Sequence, residues 1–387
     1  MGTREFKTRT EIRKGQYPAK KGEWVIGVDI GYSAVKGMCA NKVFCFPSYV
    51  KEVQEEIVRI GGTSDTDIMY RGEDGRLWYI GELAYDLAAT KSMTDNMTEL
   101  FGVDRYYTNT YTILSEVGTA IGLMDNQYGA KGNKKIVIQT GLPPQHLASG
   151  MNDVKNVFAG HHSFDLKIGD NKWNHFDYTI DFNDIFLISQ PLGALFSASV
   201  GKDGHNIANA KNLFKSRIMV FDPGFGTLDL VSIRNGNIVD SSTNPNGGMK
   251  KVFEKTCEDI KEAYGVHITV PQLQRYLAKG CIRVTSRDNR GRKTLHGNTY
   301  SFENTLLSNC KKVFVNVLDE ILQIYDLDSN YDIIIVTGGT SDAWKEYIVD
   351  ALTGTDISLL SANMNDTSLS NIYSNVRGYF YFRTKSR

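Results

Sequence analysis

Apolar residues gather first at Trp24-Val-Ile-Gly-Val-Asp-Ile30, a run typical of a fully buried strand, and resume at Val35-Lys-Gly-Met-Cys-Ala40 after a break at Gly31. The pair predicts a hairpin. The same design returns at Arg217-Ile-Met-Val-Phe-Asp222, followed by Pro223-Gly-Phe-Gly-Thr227, Leu228 to Ile233, the turn Asn235-Gly236 and Asn237 to Ser241. Both leading strands end in Asp-x-Gly, and Asp29 and Asp222 stand 193 positions apart, about half of the 387-residue chain. This spacing predicts two related halves. A third buried strand, Tyr331 to Val336, runs through Thr337-Gly-Gly-Thr-Ser341 into a helix over Asp342 to Leu352, with Trp344, Tyr347, Ile348 and Leu352 on one face. Further helices are expected around Val117 to Met124 and over Gln190 to Val200, Lys250 to Tyr264, Phe302 to Tyr325 and Asp366 to Phe382. Arg59 to Arg76 and Gly201 to Asn212 read as surface loops, and Arg283 to Lys293 as a basic turn containing Gly291. Strands alternating with helices define an α/β class.

Composition narrows the class of function. With 41% hydrophobic and 23% charged residues, and 44 basic side chains balancing 44 acidic ones, the chain is globular and has no global field to hold a polyanion. No apolar run approaches the roughly 18 residues of a membrane span. The five cysteines, Cys39, Cys45, Cys257, Cys281 and Cys310, form no Cys-x-x-Cys, which fits reduced thiols in a cytoplasm. Residues Met1 to Lys21 carry seven basic side chains against Glu5 and Glu11 and lack the apolar centre of a secretory signal, so they are expected to form a flexible basic arm.

Chemistry is concentrated at the Asp-x-Gly turns. Each sets a carboxylate beside backbone N–H groups that no side chain shields, an arrangement suited to phosphate oxygens and, through water, Mg²⁺. Rival nucleotide signatures are missing: there is no Gly-x-x-x-x-Gly-Lys-Ser/Thr loop, no full Gly-x-Gly-x-x-Gly after the first strand and no His-Arg-Asp. His161-His162 reads as a pair of surface or turn histidines, not a metal site.

Three segments carry a resemblance to a known superfamily. Val25-Ile-Gly-Val-Asp-Ile-Gly-Tyr-Ser-Ala-Val-Lys36 resembles the first phosphate loop of the actin, heat-shock chaperone and sugar-kinase superfamily, Phe221 to Asp229 its second, and Val336-Thr-Gly-Gly-Thr-Ser341 its adenosine motif, in the family's order. Gly141-Leu-Pro143, Val157 to His161 and Ile185 to Ala194 are similar to the bacterial plasmid-segregation actins of the ParM type. The resemblance implies an actin-like, ribonuclease H-like duplicated fold with a nucleotide cleft between domain I (22–189 plus 362–387) and domain II (190–361). It implies that Asp29 and Asp222 hold Mg²⁺, that Gly31, Tyr32, Ser33 and Lys36 contact phosphates with Gly224, Phe225, Gly226 and Thr227 opposite, and that Gly338, Gly339 and Thr340 pass under the adenosine. Gln190 falls where the family orients the attacking water, so Asp29, Asp222 and Gln190 form the expected catalytic set.

The implied activity is a cytoplasmic, Mg²⁺-dependent ATPase, with GTP as the alternative nucleotide. It would polymerise head to tail and move plasmid DNA through an adaptor of the ParR type, touching centromere-like DNA only indirectly. The alternatives are a small-molecule sugar or carboxylate kinase, which Gln190 in place of an acid disfavours, and a filament serving as a scaffold. A chaperone would need a further domain after the last helix.

Overall fold

The computed structural model describes residues 3–56, 64–88, 103–287, 290 and 293–385. Two sheets of one topology form its framework. The first places Lys42–Pro47, Ala34–Cys39, Glu23–Ile30, Lys135–Leu142 and Ile185–Ser189 side by side; the second places Asn237–Asn244, Leu228–Arg234, Ile218–Pro223, Ile333–Val336 and Ser358–Ser361 in the same succession. In both, a three-stranded antiparallel meander is extended by two parallel strands beside its first member. The repeat announced by the Asp-x-Gly turns is thus a repeat of a whole sheet, and the expected duplicated α/β architecture is the one observed.

Parallel neighbours demand crossovers, and helices on the sheet faces explain why Val25–Ile30 is an unbroken buried run. One core surrounds the first sheet and includes Val28, Val117, Val376 and Phe380. A second joins Phe221 and Leu230 to Phe253, Phe314 and Trp344. The helix Gln190–Ser199 lies against the second sheet through Ala194, Leu195 and Ala198.

The chain ends by crossing back. Leu369, Tyr373, Val376 and Phe380 enter the first core, with Ile372 packed against it. The helix itself begins only at Ser374, after a short 3-10 turn over Asn371–Tyr373. The eight preceding positions expected to be helical are held otherwise: Ser368 Oγ binds Asp366 Oδ1 at 2.5 Å and Leu369 N–H donates to the Asp366 carbonyl, local bonds that compete with helix. Helices Ser374–Lys385 and Gln190–Ser199 cross with their backbones touching, since a Cβ on Gly378 would stand 1.7 Å from the Gly193 carbonyl oxygen. Arg377, fully buried, donates to the carbonyls of Ser197, Val200 and Gly201 at the end of the other helix, where the helix dipole favours a cation.

Four expectations are corrected. Within the supposed loop Arg59 to Arg76 lies the strand Ile68–Gly72, the middle member of a five-stranded sheet; residues 57–63 are outside the described residues. The segment Gly201 to Asn212 runs into a helix over Ala210–Lys215. The basic turn is flanked by an antiparallel hairpin of Cys281–Arg287 and Lys293–Ser301, while Gly291 is outside the described residues. His162 is no surface residue: it is buried in a strand with Nδ1 2.9 Å from Glu116 Oε1, whereas its neighbour His161 faces solvent. All five cysteines are free.

The described part of the basic arm, residues 3–21, packs against the rest of the protein. Residues Thr3–Phe6 form a 3-10 turn, and Glu11–Lys14 pairs antiparallel with Lys42–Pro47 as a sixth strand of the first sheet. Two groups fix it there: Thr10 N–H donates to Glu82 Oε1 at 2.6 Å, and Tyr373 Oη donates to Glu11 Oε2 at 2.7 Å. An arm rich in charge can order because its backbone completes an exposed sheet edge.

Candidate functional site

The two Asp-x-Gly turns are built alike. Gly31 N–H donates to the Ala34 carbonyl at 3.0 Å, and Gly224 N–H donates to the Thr227 carbonyl at 2.8 Å, so each turn closes over two residues. Between them lies a cavity of about 660 Å³, a size that suits a nucleotide. Ser33, Lys36, Gln190, Asp222, Gly224, Phe225, Gly338, Gly339 and Thr340 line it. Asp29, Gly31, Tyr32, Gly226 and Thr227 are not among its lining residues and stand in the same two turns or at the end of the strand that leads in.

Electrostatics focus on three buried carboxylates. Asp29 lies opposite Lys36 in register, and Lys36 Nζ is 3.5 Å from its Oδ2. Asp222 is pushed up to about 6 chiefly by burial, with the Asp29 charge adding to the rise and Asn375 and Lys36 opposing it. Asp229, opposite Asp222 in the antiparallel register, is pushed up to about 7, again chiefly by burial and further by Asp222, against hydrogen bonds from Thr243 and Thr227. The Thr243 hydroxyl donates to Asp229 Oδ1 at 2.6 Å. Carboxylates that repel one another in a dry site are relieved by a cation. No group of three or more His, Cys, Asp or Glu gathers as a ready cage among the described residues. Asp29 and Asp222 as a pair suit Mg²⁺, which keeps several waters and takes one or two carboxylates beside substrate phosphates.

The glycines of Thr337-Gly-Gly-Thr have a reason within the protein itself. Gly338 has φ +79°, and a Cβ there would stand 3.0 Å from Asp222 Oδ1 and 3.1 Å from the Pro223 carbonyl oxygen. The first obstacle at Gly339 is Ile372 Cγ2, 3.1 Å away. These protein atoms crowd the glycines before any ligand is considered. Thr340 Oγ1 donates to the Gly224 carbonyl at 2.9 Å and ties this turn to the second Asp-x-Gly turn. Gly248 lets the helix Met249–Tyr264 start against the same turn: Lys250 N–H donates to the Phe225 carbonyl at 2.8 Å, and a Cβ on Gly248 would meet that oxygen at 2.4 Å.

Gln190 opens its helix directly after the strand Ile185–Ser189, with Pro191 in the first turn, so the strand end delivers its side chain to the cavity.

Three contributors escape sequence reasoning. Asn375 donates to Asp222 Oδ2 at 2.8 Å from the last helix, where a polar residue in an amphipathic stripe gives no cue. Asp229 lies within the second turn motif, and its pairing with Asp222 follows once the hairpin register is fixed. Arg105 is 4% exposed behind the first turn; its guanidinium carbon lies 4.8 Å from the Tyr32 ring centroid and near the rings of Tyr106 and Tyr111, and its Nε has no hydrogen-bond partner among the described residues.

A duplicated α/β fold with paired Asp-x-Gly turns facing a shared cavity is an actin-like architecture. Residues 27–193 match the family described as "Actin like proteins N terminal domain". Solved structures agree in fold across nearly the whole chain. The non-polymerisable quadruple mutant of pCBH ParM has a TM-score of 0.70 at 18% identity, covering 94% of this chain and all of its own. A 15-stranded ParM filament from Clostridium botulinum has a TM-score of 0.66 at 19% identity, covering 93% of this chain and 99% of its own. The archaeal actin homologue Ta0583 in complex with ADP has a TM-score of 0.62 at 14% identity, covering 94% of this chain and 100% of its own. No curated protein matches. The fold is therefore the one shared by these actin-like structures, that of the actin-like protein Alp7A included. No helix among the described residues is long and apolar enough to cross a membrane.

Proposed function

We propose that this chain is a Mg²⁺-dependent ATPase that polymerises head to tail into dynamic filaments and segregates plasmid DNA through a ParR-like adaptor in the cytoplasm. The observation that carries the reading is the convergence of Lys36, Gln190 and Asp222 with both phosphate-loop turns on one cavity. Supporting it, one similar structure is a ParM filament and another an actin homologue holding ADP.

In this reading the nucleotide lies between domain I (22–189 plus 362–387) and domain II (190–361). Backbone N–H groups around Gly31, Tyr32 and Ser33 and around Gly224, Phe225, Gly226 and Thr227 bind the β- and γ-phosphates, and Lys36 adds a cation. The adenosine passes over Gly338, Gly339 and Thr340. Asp29 and Asp222 hold Mg²⁺ through water, and bound Mg²⁺ supplies charge neutralisation for phosphoryl transfer. Gln190 orients the attacking water; an amide positions water without removing its proton, so turnover is slow. That same amide, where a kinase needs a carboxylate base for its acceptor hydroxyl, disfavours a small-molecule kinase.

Pelleting and negative-stain microscopy with ATP, GTP, ADP and no nucleotide test the reading. Filaments that form with a triphosphate and disassemble as phosphate is released are expected. Rapid acceptor-dependent turnover without polymer would overturn it.

A further inference from the structure

The N-terminal segment spans the mouth of the cavity and is anchored on both sides of it. On the side of the second core, Thr3 Oγ1 donates to the Leu277 carbonyl at 2.8 Å, Arg4 Nε donates to the Ala278 carbonyl at 2.9 Å, and the Phe6 ring meets Phe253 edge-on at 6.4 Å between centroids. On the side of the first sheet, Glu11–Lys14 is a paired strand, and Lys7 and Thr10 both hold Glu82. The stretch between these anchors lines the same cavity as Asp222 and Gly338, from Glu5 through Glu11.

We propose that Thr3–Lys14 is a strap that closes over bound nucleotide and sets how fast nucleotide leaves. The inference rests on the nucleotide reading of the cleft and adds its regulation. A ligand in the cavity has the strap as one wall, so its exit requires one anchor to let go. The two anchors differ in strength. The strand end has a four-residue ladder, the Thr10–Glu82 bond and the Glu11–Tyr373 bond. The 3-10 end has two hydrogen bonds to carbonyls and one half-buried ring. The 3-10 end is therefore the one that opens, swinging on the strand. From Arg4 to Lys14 the strap carries five basic side chains against two acidic ones, a charge that holds a polyanionic ligand. Tyr49 Oη, donating to Gln274 Oε1 at 2.9 Å, closes the cleft elsewhere and is left intact in the test.

The test uses the full chain, Mg²⁺ and a fluorescent N-methylanthraniloyl-ADP displaced by excess ATP. The anchor variant Thr3→Val/Arg4→Ala/Phe6→Ala should release the probe at least about tenfold faster, the factor lost with roughly 1.4 kcal/mol of docking. A lock provides the opposite arm. Thr3 Cβ lies 3.8 Å from where a Cβ on Gly280 would stand, so Thr3→Cys/Gly280→Cys, made with Cys281→Ser, places two thiols for a disulfide at the cost of a side chain on the left-handed φ of +63° at position 280. Oxidised, it should slow release at least about tenfold, and reduction should restore the rate. Equal release from wild type and anchor variant overturns the strap, as does an oxidised double-cysteine protein that releases the probe as fast as its reduced form. Should the anchor variant fail to fold, the lock decides alone. Absence of nucleotide binding by the wild-type chain would overturn the cleft reading, and the strap with it.

Discussion

Asn375 Nδ2 donates to Asp222 Oδ2 at 2.8 Å, joining the last helix of the chain to the second Asp-x-Gly turn 153 residues earlier. The same side chain accepts from Thr337 Oγ1 at 3.3 Å, so its amide orientation is fixed from both ends. This donor favours the charged form of Asp222 against the burial that raises it to about 6. Asn375→Ala should therefore weaken Mg²⁺-nucleotide binding by about fivefold near pH 6.5, the value of one lost bond of about 1 kcal/mol, and by less at pH 8. Calorimetric titration at the two pH values checks this; an equal loss at both would remove the protonation argument.

Asp222 and Asp229 make stability and binding depend on pH in opposite ways. Their folded values of about 6 and about 7 lie above the unfolded carboxylate value near 3.9, so the nucleotide-free fold binds more protons than the unfolded chain between these limits. Stability contributed by these groups is present at low pH and is lost as pH rises from about 4 through about 7. Mg²⁺ and nucleotide favour the ionised forms, so binding at pH 6.5 should expel protons. Binding enthalpies measured in buffers of different ionisation heat would reveal it, and buffer-independent enthalpies would count against it.

An Asp222→Asn substitution separates the two effects. It removes a buried carboxylate whose ionisation opposes the apo fold at pH 8, which should raise apo stability by up to about 3 kcal/mol for a shift of two pH units. Magnesium-dependent nucleotide binding should disappear in the same protein. Urea unfolding with and without Mg²⁺-ATP measures both; a variant that is destabilised and still binds would contradict the metal assignment.

Gln190→Ala should leave polymerisation intact and slow phosphate release by roughly 100-fold, the order expected when a reacting water is no longer held. Longer-lived filaments follow. Unaltered hydrolysis would exclude Gln190 from the mechanism.

Gly378→Ala has no room to be accommodated, because the added Cβ would lie 1.7 Å from a backbone oxygen that no rotamer change can move. A loss of at least about 3 kcal/mol is expected in chemical denaturation. A loss below 1 kcal/mol would mean that the helices separate easily.

The legible parts of the sequence were those where one physical demand dominates. Val25 to Val28 and Met219 to Phe221 must be apolar because helices cover both faces of the sheets, and the Asp-x-Gly ends that follow are short enough to read as turns. The strand Ile68–Gly72 escaped because its apolar stretch is only Ile68-Met-Tyr70 between polar flanks. The arm escaped because strand pairing at a sheet edge uses backbone groups that any residue has, and charge alone suggested solvent. Asn375 and Arg105 escaped for a deeper reason: a side chain's partner 153 residues away, or a cation packed among rings, is decided by tertiary geometry and not by spacing.

The contact between Gly193 and Gly378 has a mechanical meaning. One helix rides on the second sheet and the other on the first, and with no side chain between their backbones they act as the pin of a pair of scissors. Gln190 and Asn375 each lie within a turn of that pin. Any rotation of one sheet against the other about this contact would shift Gln190 and Asn375 least and the far rim most.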